Sequence, residues 1–69
     1  MNYTNKLKMA MIATNTTQAK LAEMTNQSQQ NLSEKISKNN FRLQEFERLV
    51  KAMGCDIKIS IVLPNGELV

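Results

Sequence analysis

No internal crosslink can hold this chain together. It has 69 residues, one cysteine (Cys55) and no histidine. A single thiol closes no intrachain disulfide, and one Cys among scattered carboxylates has no zinc spacing. A chain of this length buries only about 60% of the surface its unfolded form exposes, so its own core gives marginal stability. Domains lacking a disulfide or a metal gain the missing burial from another copy. Self-association is therefore the expected staple. A lone thiol also fits a reducing compartment. No apolar run approaches the ~20 residues of a membrane span, and no signal-peptide stretch opens the chain, so a cytoplasmic location is expected.

The formal net charge is +3. Residues 1–20 carry Lys6, Lys8 and Lys20 with no acid, while the remainder balances. This bias is compatible with nucleic acid but does not single it out. Without His, a metal site or a paired-acid cleft, no general acid–base set can be assembled. An enzyme is not expected, nor a cofactor, a metal or a small-molecule ligand. Three aromatics and five methionines predict a small aliphatic core. Apart from the initiator Met1, the thioethers of Met9, Met11, Met24 and Met53 would fill its gaps.

Apolar spacing predicts a helical chain. From Thr4 as N-cap to about Ala13, Leu7, Ala10 and Met11 recur at helical intervals. The polar run Thr14-Asn15-Thr16-Thr17 offers a new cap, and a second helix from about Gln18 to Met24 buries Leu21 and Ala22. Thr25-Asn26-Gln27 is a short turn in which Asn26 can take the left-handed conformation. Ser28 caps a third helix running to about Ser37, with Leu32 and Ile36 as its apolar residues. After the loop Lys38-Asn39-Asn40, Leu43 to Met53 is the most amphipathic helix, with Phe46, Leu49, Val50 and Met53 on one stripe. Gly54 ends it as a left-handed residue, and Cys55 is placed for the apolar contact that accompanies such a cap.

The segment from Gln18 to Ser33 reads Gln18-x-x-Leu21-Ala22-x-x-x-Asn26-x-Ser28-x-x-x-Leu32-Ser33. It resembles the Cro/phage-repressor (XRE-type) class of helix-turn-helix transcriptional regulators, found in phages and mobile elements. The resemblance covers residues 4–54. Asn26 stands where the turn Gly is usual, and polar Thr25 and Gln27 flank it where apolar residues are usual. The second apolar contact of the third helix falls at Ile36, one position late, with Lys35 in the expected place. The resemblance implies a mainly α, four-helix lambda-repressor-like domain that binds double-stranded operator DNA, with the helix at 28–37 in the major groove. It also implies that Gln18 contacts a phosphate, with Lys38, Asn39, Asn40 and Arg42 on the DNA backbone beyond the recognition helix. Ser28 and Asn31, at the start of that helix, belong to the same backbone-contacting group.

The residues themselves point the same way. Ala22 is small where two helices must cross closely. The second and third helices begin Gln18-Ala19-Lys20 and Gln29-Gln30-Asn31, without the acids that an isolated helix favours against its dipole. Open, positive helix starts suit a phosphate or a base edge; neutral caps with no ligand are the alternative. Gln29, Gln30, Ser33 and Glu34 lie off the Leu32/Ile36 face and form the expected base-reading set. Gln pairs bidentately with adenine, and Glu accepts from the cytosine amino group. The alternative is a solvated polar face.

Beyond Gly54 the apolar period changes. Ile57, Ile59, Ile61 and Leu63 alternate with other residues, which predicts a strand over 56–64, followed by a turn at Pro64-Asn65-Gly66. A lone strand leaves backbone groups unpaired. Glu67-Leu68-Val69 could supply only a stub of hairpin, and Met1-Asn2-Tyr3 a few bonds. The expected partner is the same strand of a second chain, antiparallel about a two-fold axis, with those four apolar residues as the dimer interface. A strand docked within one chain is the alternative. The organisation expected is one domain over 1–69: a helical core at 4–54, a dimerising strand at 56–64 and a tail at 65–69. The function expected is a homodimeric repressor, relieved by a separate protein, proteolysis or dilution. The competing reading is a protein-interaction module, an antirepressor or antitoxin whose C-terminal strand augments a partner's sheet.

Overall fold

In the computed structural model, which describes residues 2–69, four helices form: α1 (Tyr3–Ala13), α2 (Gln18–Met24), α3 (Gln29–Lys38) and α4 (Leu43–Ala52). The fold is mainly α. Every helix stops on the same device. Asn15, Asn26 and Asn39 have φ of 55°, 57° and 51°, and Gly54 has φ of 82°. The next amide then reaches back into the helix: Thr16 to the Met11 carbonyl (2.8 Å), Gln27 to Ala22 (3.0 Å), Asn40 to Lys35 (3.0 Å) and Cys55 to Val50 (3.1 Å). Carbonyls that the helix cannot pair are thereby satisfied. Asn tolerates the left-handed region better than other non-glycine residues, which explains its use at three of the four ends.

The helix starts differ from expectation at one point. Asn2, not Thr4, caps α1, accepting from the Asn5 amide. Thr17 and Ser28 cap α2 and α3 through the Lys20 and Asn31 amides. Thr4 lies inside α1, and its hydroxyl is spent elsewhere.

Each helix contributes one fully buried leucine: Leu7, Leu21, Leu32 and Leu49. Ala22, Ile36, Phe41, Phe46 and Val50 complete the buried core. The aromatics correct the aliphatic expectation. Tyr3 and Phe46 meet at 4.8 Å between ring centroids, and Phe41 stands 6.3 Å from Phe46, edge-on. Phe41 sits in the α3–α4 loop, where no helical period could mark it as core. The methionines are likewise not all core: Met11 and Met53 are half-buried against it, whereas Met9 and Met24 are exposed. Met1 lies outside the described residues. Cys55 packs half-buried beside the α4 cap, as expected.

The C-terminal segment departs most from expectation. No regular strand forms over 56–64; among the described residues there is one isolated antiparallel bridge, Val62 to Leu68. The chain folds back at Pro64–Gly66, and the tail residues Glu67–Val69 supply a stub of hairpin. Ile61 and Val69 exchange both backbone bonds (2.8 and 3.0 Å), and the Leu63 amide donates to Glu67 (2.8 Å). Residues 55–60 have no neighbouring strand, and a ladder needs one. Of the expected interface, Ile57 and Leu63 are half-buried, while Ile59 and Ile61 are 54% and 62% exposed. Tyr3 belongs to α1 and pairs with none of it.

A Cβ at Gly54 would meet no atom within 4 Å, so its φ of 82° is the whole constraint there. Gly54→Ala should therefore lower unfolding stability in urea by about 1–2 kcal/mol, the cost of an L residue in the left-handed region. Asn26→Gly should be close to neutral.

Candidate nucleic-acid interface

A helix-turn-helix needs its turn to be rigid, because the turn sets the angle at which the second helix emerges. Here Leu21, Ala22 and Leu32 bury the inner faces of α2 and α3. The apolar anchors absent from the turn are replaced by a chain of hydrogen bonds. Thr25 Oγ1 donates to the Leu21 carbonyl (2.8 Å), and Gln27 Nε2 donates to Thr25 Oγ1 (2.9 Å). Asn31 Nδ2 then donates to Gln27 Oε1 (3.4 Å). This chain crosses from the end of α2, over left-handed Asn26, into the first turn of α3.

The rotation of α3 follows from what it buries. Leu32 and Ile36, one turn apart, both face the core. Lys35, at the edge of that face, is half-buried and pairs with Glu45 in the first turn of α4. An ion pair thus stands where an apolar contact was expected, and α3 keeps its Leu32/Ile36 orientation. Gln29, Gln30, Ser33 and Glu34 are all exposed. Spacings of three and four residues put Gln30 beside Ser33 and Glu34, and Gln29 beside Ser33. The start of this helix carries no acid, and neither does that of α2.

The residues expected on the DNA backbone divide. Lys38, the last residue of α3, and Asn40 and Arg42 beyond it are exposed. Gln18 is half-buried at a cleft of about 460 Å³ that it shares with Lys8, Ile12 and Thr16. Ser28 Oγ, Asn31 and Asn39 already have partners within the fold: the first accepts the Asn31 amide, the second bonds Gln27, and Asn39 Oδ1 accepts the Thr4 amide at 3.0 Å.

Residues 6–58 match the family described as the Cro/C1-type HTH DNA-binding domain. The chain belongs to this family. No curated protein and no solved structure matches it significantly. As a Cro/C1-type domain it is a DNA-binding, helix-turn-helix element of transcription regulation, and α2 and α3 are the two helices of that motif. Domains of this family are typically not enzymes. Among the described residues no helix is long and apolar enough to cross a membrane.

Residue types alone do not show the contacts made in this Cro/C1-type domain by Gln27, by the Lys35–Glu45 pair and by Thr4. A signal existed for one of them. A lysine at the edge of a buried stripe requires an acid within reach, and Glu45 is the acid that opens α4. The pair is partly solvated, so it should contribute little to stability. Glu45→Ala should cost less than about 1 kcal/mol in chemical denaturation and nothing measurable at high salt. Leu32→Ala in the same assay should cost about 2–5 kcal/mol.

Proposed function

We propose that the protein is a transcriptional repressor that occupies operator DNA as a homodimer, with α3 of each copy in the major groove. One observation carries this reading. The side chains that α3 leaves exposed near its start are the amides Gln29, Gln30 and Asn31 with Ser33 and Glu34, and none is apolar. A helix that docks on a protein partner exposes apolar anchors. A helix that reads base edges exposes amide, hydroxyl and carboxylate groups.

In this reading Gln29, Gln30, Ser33 and Glu34 contact bases. Lys38, Asn40 and Arg42 flank them on phosphates, with Gln18 on a phosphate from the start of α2. Ser28, Asn31 and Asn39 serve mainly by holding α3 in place, and only secondarily as phosphate contacts. A single recognition helix spans few base pairs. Two of them in half-sites about 34 Å apart give usable specificity.

The dimer would form through the C-terminal segment. Ile59, Ile61, Val62, Leu68 and Val69 are exposed there. Because Ile61 and Leu63 bond back to Val69 and Glu67, the opposite edge of 56–64 is the one available to the same segment of a second copy. The chain then works as one unit over 1–69, with residues 4–54 for DNA and 56–64 for self-association.

The test is binding to the DNA upstream of the encoding locus at several salt concentrations, followed by footprinting. A symmetric footprint overlapping a promoter, with log affinity falling steeply with log salt, is the expected result. Gln30→Ala should weaken the specific complex by about 1–3 kcal/mol and leave non-specific binding unchanged; equal loss on both DNAs would remove Gln30 from the base-reading set. Replacing Ile59 and Ile61 with Lys should yield monomers by sedimentation with the helical circular dichroism retained. A variant that stays dimeric would place the interface elsewhere.

A further inference from the structure

The start of α1 and the end of α3 bond each other in both directions. The Thr4 amide is one of the donors that the start of α1 cannot satisfy internally, and Asn39 Oδ1 accepts it at 3.0 Å. The Ile36 carbonyl lies in the last turn of α3, and Thr4 Oγ1 donates to it at 2.6 Å. One residue of α1 and one residue closing α3 thus cap each other's helix across 35 positions of sequence. Asn39 can do this because its backbone is left-handed (φ 51°, ψ 40°), which ends α3 there.

Placement decides what such a clasp controls. Among the helices, α3 packs chiefly on α2, and Leu32 is its deepest contact. Toward its end Ile36, the Lys35–Glu45 pair and the clasp hold it to the rest of the domain, while the outward side chains Gln29 and Gln30 lie at its start. With a rise of 1.5 Å per residue, Ile36 stands roughly 9 Å along the axis from Gln30, on the far side of Leu32. A helix held at Leu32 and loosened at Ile36 tilts, and Gln30, about 3 Å from that pivot against about 6 Å for Ile36, moves the opposite way by about half as much. Bidentate contacts from a glutamine to a base edge tolerate only small displacements, whereas a lysine or arginine on a flexible stem follows a phosphate easily.

We propose that Thr4 and Asn39 are positioning residues for DNA sequence discrimination: their mutual capping fixes the tilt of α3 without contact to a base. This rests on the reading that α3 contacts bases. It separates two roles for Asn39, since an Asn39 that mainly touches phosphate would contribute equally to every DNA sequence.

The experiment compares affinity for the specific site with affinity for unrelated duplex DNA, in the full chain, for Thr4→Val, Thr4→Ser and Asn39→Gly. Thr4→Val keeps the shape and removes the hydroxyl donor. Asn39→Gly keeps the left-handed turn and removes the amide. Both should lower the ratio of specific to non-specific affinity about five- to tenfold, part of the discrimination a good base pair contact supplies, with an unchanged salt slope. Thr4→Ser should restore the ratio. Circular dichroism should report folded protein throughout. A ratio that stays constant while melting temperature falls would reduce the clasp to a structural tie. Equal loss on both DNAs for Asn39→Gly, with the salt slope unchanged because the amide carries no charge, would make Asn39 a phosphate contact and overturn the proposal. Gln30→Ala separates the two failures: if it lowers the ratio and the clasp variants do not, the clasp inference alone falls; if it too leaves the ratio unmoved, base reading by α3 falls and the clasp inference with it.

Discussion

Four leucines, one from each helix, are the constraint on which the rest of the molecule depends. Leu7, Leu21, Leu32 and Leu49 lose all or nearly all contact with solvent, so none can turn without opening a cavity. Burying a leucine fully is worth about 1.5–3 kcal/mol. Only nine apolar residues are buried among the described residues, so little else there could replace them. Fixing Leu21 and Leu32 together fixes the pair α2–α3, and this pair is the part that a helix-turn-helix regulator uses. The core is therefore small, but it is spent where geometry matters.

Polar atoms do much of the remaining work of orientation. The turn is held by Thr25, Gln27 and Asn31, the rotation of α3 by Lys35 and Glu45, and its far end by Thr4 and Asn39. Each replaces an apolar contact that a chain of this length can ill supply. Hydrogen bonds are weaker than burial in net stability but more directional. A domain poor in apolar material can in this way keep angles that its core alone would leave soft. No buried side-chain polar atom among the described residues lacks a partner.

The helical core and the motif were legible in the sequence because both depend on local regularities. The spacing of Leu21, Ala22 and Leu32, the cap residue Ser28 and left-handed Asn26 and Gly54 are properties of short windows. What escaped was non-local or loop-borne. Phe41 is buried from a loop, where no period marks it. Tyr3 packs against Phe46 with its ring tilted, 43 residues away in sequence. Thr4 reads as an N-cap from its own neighbourhood, but its hydroxyl is taken by a carbonyl 32 residues away. Asn15 and Asn39 close their helices as Asn26 does, a signal present in the sequence but weighed at only one of three positions. The strand at 56–64 failed for a different reason: alternation reports a preference for an extended backbone, and a ladder also needs a neighbour.

Two parts of the exposed surface contrast. At the start of α3 it is amide, hydroxyl and carboxylate; on the C-terminal hairpin it is Ile59, Ile61, Val62, Leu68 and Val69. These call for different partners, since hydrogen-bonding groups lose little in water whereas clustered aliphatic side chains gain by leaving it. A polar, groove-shaped partner fits the first and an apolar one the second. The proposed repressor assigns duplex DNA to one and a second copy of the chain to the other. The two would be linked energetically: a DNA element of two half-sites recruits two recognition helices at once, and so favours whatever holds two copies together. A domain with so small a core would then be most stable in the state in which it acts.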